Sequence, residues 1–182
     1  FVNKMYEAYD RYVKNTIYDA MVGYATALTG QFKKTGSLTA ENLNALCDLV
    51  STATGYPVMI MGTRTALSKV TSLQNASYIS DTMKDEHLRT GLLGMFEGKQ
   101  LIEIPQVFEK NKIGSYKIDN TLLWIMPMTD VKWIKLVNEG DVQLSQIMDK
   151  DINVDMTYSA EMQVKLGCAV MLNSAFGVYD VE

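Results

Sequence analysis

Histidine is almost missing from these 182 residues, with a single copy, and cysteine is scarce, with two. The lone histidine, His87, has no cysteine near it and cannot assemble a zinc site, whose four ligands come from His and Cys at short spacings. It reads as a surface residue. Two cysteines, Cys47 and Cys168, cannot form a disulfide framework; both fall on faces that read as buried, so free thiols are expected. Long apolar runs are absent too. The longest, LLWIMPM at 122–128, is far short of the roughly 20 residues a membrane-crossing helix needs. No stretch reads as a secretory leader, and the chain begins at Phe1 rather than Met, the pattern of a trimmed or processed product. Positive charge is not in excess either. Seventeen Lys and Arg stand against 21 Asp and Glu, a net charge of −4, and the basic residues form no stripe that could follow a phosphate backbone. Specific nucleic-acid contact is therefore not expected.

Catalytic signatures are missing as well. The chain has no GxSxG, P-loop, GxGxxG or HExxH, and no Cys–His pair close in sequence. Asp81, Asp85 and Glu86 fall on a polar helix, where a solvated face is the default. No catalytic residue and no cofactor is assigned. One stretch imitates a metal loop: DKDINVD, 149–155, places oxygen side chains at Asp149, Asp151, Asn153 and Asp155. A calcium loop needs Gly at its sixth position and a bidentate Glu at its twelfth. Here those positions hold Val154 and Ala160, with Glu161 one residue late. The stretch reads as an exposed turn whose side chains bond their own backbone, with no metal site.

What is present is the texture of a globular protein, 47% hydrophobic and 21% charged, long enough for one large domain or two small ones. Apolar residues at Val2, Met5, Tyr9, Tyr12, Val13, Ile17, Met21, Tyr24 and Leu28 have helical spacing and predict one helix over 2–28. Tyr6, Tyr9, Tyr12 and Tyr18 make it amphipathic, suited to lie along a sheet or another subunit, or to be a core helix with some exposed Tyr. A turn, GQFKKTGS, separates it from a second helix. Thr39 is the expected N-cap, Leu38 and Leu43 the hydrophobic staple, and Leu43, Leu46, Cys47 and Val50 the apolar face, with Gly55 the stop.

PVMIM at 57–61 then reads as a buried strand feeding a short helix that bears Leu67, Val70 and Leu73. A polar helix over 80–90 is capped by Ser80 and ended by Gly91. LLGMF and KQLIEI form a hairpin about Glu97-Gly98, and TLLWIM and VKWIKLV read as strands. From Met162 to Leu172 the side chains alternate with period two over eleven positions, Met162, Val164, Leu166, Cys168, Val170 and Leu172 sharing one face, which predicts one long strand, and AFGVYDV is a last one. Helices early and strands late make the class α+β.

The succession of long helix, PVMIMGTRTALSKV, GKQLIEIP, LLWIMPMTDVKWIKLVNEGD and terminal strands resembles the C-terminal two-thirds of a tailed-phage major capsid protein of the Hong Kong 97-type fold. The resemblance implies an axial-like domain over 37–147, with a central sheet and flanking helices. It implies a peripheral-like domain from 1–36 and 148–182, made of a long spine helix and long terminal strands. Members carry an N-terminal arm and an extended loop ahead of the spine helix, which this sequence lacks. The implied function is structural: a subunit that self-assembles into an icosahedral virion shell. Its partners would be copies of itself in hexamers and pentamers, with portal and scaffold proteins, assembled in host cytoplasm without a membrane. Tyr6, Tyr9, Tyr12, Val13 and Tyr18 are then the candidate subunit-interface residues. Two alternatives stay open: an encapsulin-type compartment shell, and a small ligand- or calcium-binding module using the DKDINVD turn.

Overall fold

Helix α1 spans Val2–Ala27. No proline interrupts it, and an exposed Asp10–Lys14 ion pair one turn apart adds local support. The computed structural model describes residues 2–28, 30–75, 79–109, 112, 114–130, 132, 134–147, 159–170 and 176–181. The DKDINVD stretch, read above as a turn, lies outside the described residues. The chain divides into two compact units: Phe1–Val22 with Ile134–Met171, and Gly23–Trp133 with Leu172–Glu182.

The second unit is built on a six-stranded mixed sheet. Its strands are β1 (Lys33–Gly36), β2 (Val58–Gly62), β3 (Met95–Phe96), β4 (Lys99–Glu103), β5 (Leu122–Pro127) and, from the far end of the chain, Gly177–Val181. That last strand, β10 after the four described below, lies between β1 and β5 in the order β1-β10-β5-β2-β4-β3. Helices α2 (Ala40–Thr54) and α3 (Arg64–Ser72) close one face of the sheet. Leu43, Leu46, Cys47 and Val50 of α2 and Ala66, Leu67 and Val70 of α3 pack with Ile60, Leu123, Ile125, Tyr179 and Val181 into one buried core. On β5 the neighbouring positions Trp124 and Met126 are buried too. Alternate residues point to opposite faces, so both faces of β5 are covered. Trp124 meets Phe176 with ring centroids 5.9 Å apart, and Phe176 meets Tyr24 at 4.7 Å.

Local chemistry explains the element ends. Thr39 accepts a hydrogen bond from the Asn42 backbone N–H, as an N-cap should, and Gly55 ends α2 in the left-handed region. Thr63 and Ser80 cap α3 and α4 (Asp81–Thr90) in the same way. The β3–β4 hairpin turns on Glu97 (φ 45) and Gly98 (φ 79). Two consecutive positive φ values make the primed turn that matches strand twist. Glu97 is bonded by the Asn44 side-chain amide, whose carbonyl accepts from Lys99 at 2.8 Å, so the hairpin is tied to α2.

The first unit joins α1 residues to a long antiparallel ribbon. Strands β6 (Ile134–Asn138) and β7 (Gln143–Ile147) run along one side, β8 (Ser159–Gln163) and β9 (Leu166–Val170) along the other. β6 pairs with β9 and β7 with β8.

Two expectations are corrected here. The single long strand from Met162 is two strands, because four residues, Glu139 to Val142, face only Val164 and Lys165. The surplus forms a bulge holding Gly140 at φ 81 and breaks the ladder locally. Alternation survives the break: Met162, Val164, Leu166, Cys168 and Val170 are half-buried, with exposed residues between them. The second correction is β1, which lies within a segment read as a turn. Its KKTG has no apolar pattern, and it becomes a strand only because β10 offers a parallel edge.

Candidate assembly surface

The titratable groups with a resolved shift are two thiols and one carboxylate. Burial pushes the Cys47 thiol up to about 12, against a smaller opposing pull from Lys99, so it stays protonated at neutral pH. Burial also raises Cys168, which is half-buried; both cysteines are free thiols. Glu109 has a lowered pKa. Its hydrogen bond with exposed Lys112, and then that cation's charge, hold it below the usual range. No group of three or more His, Cys, Asp or Glu is placed to hold a metal among the described residues. His87 is exposed near the end of α4. No described helix is long and apolar enough to cross a membrane.

Exposed aromatic surface stands out instead. On α1, Tyr6 is 62% exposed and Tyr12 50%, while Tyr9 and Val13 are half-buried. Tyr18 is buried, together with Met21. These five sequence-selected residues therefore do not share one face. Only Tyr9 and Tyr12 come together, in an open groove of about 340 Å³ with Met5, Ala8, Met162 and Val164. Positions 5, 8, 9 and 12 repeat at helical spacing, and Met162 and Val164 belong to the alternating face at the end of β8. Among the described residues no charged side chain lines the groove.

The first unit is thin. Tyr18 and Met21 are the residues buried among its side chains of described exposure. A two-stranded ribbon has little depth for a core of its own, and the apolar side chains of β9 are half-buried. Leu136, Val137 and Val142 on the ribbon are 39%, 59% and 42% exposed.

Met5, Ala8, Met162 and Val164 were not singled out as site residues from the sequence. Their signals, one helical and one strand-like, lie about 150 residues apart and only the fold joins them. A second aromatic feature was also missed. Phe108 and Tyr116 stack at 5.5 Å, each about half exposed, across an isolated bridge. Gln106 fastens the base of this loop, donating to the Ile118 carbonyl at 2.7 Å and to Asn120 Oδ1 at 2.9 Å.

Residues 1–180 match the model of a family described as SPbeta prophage-derived putative capsid protein YonB. No curated protein matches the chain.

Proposed function

We propose that this chain, which belongs to the prophage-derived putative capsid protein family YonB, is a shell subunit that assembles with copies of itself into a closed icosahedral capsid. The observation that carries this is the first unit. Few of its side chains of described exposure are buried, yet it presents exposed tyrosines on α1 and a groove with no charged side chain among its described lining. Such surface is expected where copies pack together, since each patch in a closed assembly is covered by a neighbour.

In this reading the fold is of the Hong Kong 97 type. The second unit, with its central sheet and flanking helices, takes the axial role. The first, with the long helix and the ribbon, takes the peripheral role. Tyr6, Tyr9, Tyr12 and Val13 supply contacts between subunits; Tyr18 supports the helix from within. Hexamers and pentamers are the assembly units, portal and scaffold proteins are further partners, and assembly takes place in host cytoplasm.

The test is Tyr9→Glu with Tyr12→Glu in the full-length protein, followed by sedimentation, negative-stain microscopy and circular dichroism. Two buried-on-assembly charges should abolish shells while the second unit keeps its melting transition. Normal closed shells from the double variant would remove the helix from the interface. A wild-type protein that stays monomeric under every assembly condition would overturn the capsid reading itself.

A further inference from the structure

Deepening the shell reading on which it rests, we propose that the open edge of β9 in one copy pairs with the open edge of β6 in the next, so that neighbouring ribbons join into a continuous antiparallel sheet. Among the described residues the β6–β9 sheet has only two strands. Each strand therefore keeps one row of backbone groups without a strand partner.

The register shows which groups those are. β6 and β9 pair Ile134 with Val170, Leu136 with Cys168 and Asn138 with Leu166. One residue further, the Glu139 N–H donates to the Lys165 carbonyl at 3.0 Å. Antiparallel pairs alternate between exchanging hydrogen bonds and facing away. Glu139–Lys165 is a bonded pair, so 137–167 and 135–169 are bonded and the three even-numbered pairs are not. The N–H groups of Leu166, Cys168 and Val170 thus point out along one edge, and those of Ile134, Leu136 and Asn138 along the other.

The β9 edge carries none of the usual blocks against pairing, and β6 carries one Lys, with the bulge beyond its end. β9 reads LGCAV, without charge or proline. β6 has one charge, Lys135, beside exposed Leu136 and Val137. The side chains of Leu166, Cys168 and Val170 continue the half-buried face that begins at Met162 and Val164 in the groove. A strand added beside β9 would therefore extend an apolar surface already turned toward the proposed interface. Unlike edges meeting, β9 to β6, make a head-to-tail contact. That contact can close a ring, which pairing of two identical edges cannot do.

Residue-resolved amide exchange on free subunits and on wild-type assemblies tests this. In free subunits Gly167 and Ala169 should be protected while Leu166, Cys168 and Val170 exchange quickly. On assembly those three, together with Ile134, Leu136 and Asn138, should slow by at least about tenfold. Cys168→Pro, which removes one outward N–H, should prevent assembly, and Cys168→Val should assemble. Melting curves show whether the proline variant folds; if it does not, the exchange pattern alone decides. Unchanged exchange at the six amides, or shells from a folded Cys168→Pro variant, overturns the edge pairing but leaves the shell reading standing. A wild-type protein that never assembles overturns both.

Discussion

Leu46 and Gly177 show how closely single residues are matched in the core. Leu46 is fully buried on α2, and a Cβ added at Gly177 on β10 would come within 3.1 Å of its Cγ and of Val50 Cγ2. The helix lies close to the sheet because β10 offers no side chain there. Leu46→Ala should cost about 2–5 kcal/mol in denaturant melts, through lost burial and the cavity left behind. Gly177→Val should cost about 1–3 kcal/mol for the opposite reason, overpacking. A Leu46→Ala loss below about half a kcal/mol would show that the α2 face is assigned wrongly. Cys47, in the same core, makes a pH prediction. Its folded pKa of about 12 lies above the ordinary 9.0, so the folded state holds the proton longer than the unfolded chain does. The stability tied to this thiol is fully present below about pH 9 and is lost as pH rises toward 12. A thiol reagent at mildly alkaline pH should label Cys168 readily and Cys47 only on unfolding. Fast labelling of Cys47 in the folded protein would contradict its burial.

At the scale of elements, α1 is the most informative. Its buried residues, Tyr18, Met21 and Ala25, gather in its second half, while Met5, Ala8, Tyr9 and Tyr12 line the groove in its first half. Gly23, between Met21 and Ala25, is exposed, and a Cβ there would meet nothing within 4 Å. Gly23→Ala should therefore stabilise the helix by about 0.5–1 kcal/mol, seen as a higher melting temperature and no loss of helical signal. A fall in stability would mean that the helix in solution depends on a bend at that glycine. The ribbon illustrates a different limit. Its period-two alternation passes unbroken through Val164 and Lys165, although the ladder does not, because the bulge lies on the opposite strand. A strand's own pattern reports which way its side chains face and carries no record of extra residues across from it.

For the molecule as a whole, charge and surface make separate statements. The net charge of −4 makes copies repel weakly, while the groove on α1 and the edge of β9 carry no charged side chain among the described residues. Association through these surfaces should hold or strengthen from low salt to about 1 M salt, where repulsion is screened and apolar contact is not. Light scattering across a salt series checks this. Dissociation at high salt would point to ion pairs as the glue and away from these surfaces.

The sequence by itself determined what is local. Helical periodicity placed α1 and α2, Thr39 and Gly55 bounded α2, and Glu97-Gly98 set the hairpin, since caps and turns are decided by a few neighbouring residues. The order of its elements resembled that of a capsid subunit, and membership of a putative capsid protein family supports a structural role. Tertiary structure decided what depends on distant segments. KKTG became a strand only beside β10, from the far end of the chain. Tyr9 and Tyr12 became a groove only against Met162 and Val164, and Tyr18 was withdrawn into the fold. Side-chain periodicity encodes which face is apolar; which partner covers that face is settled by chain closure and packing, where segments far apart in sequence first meet.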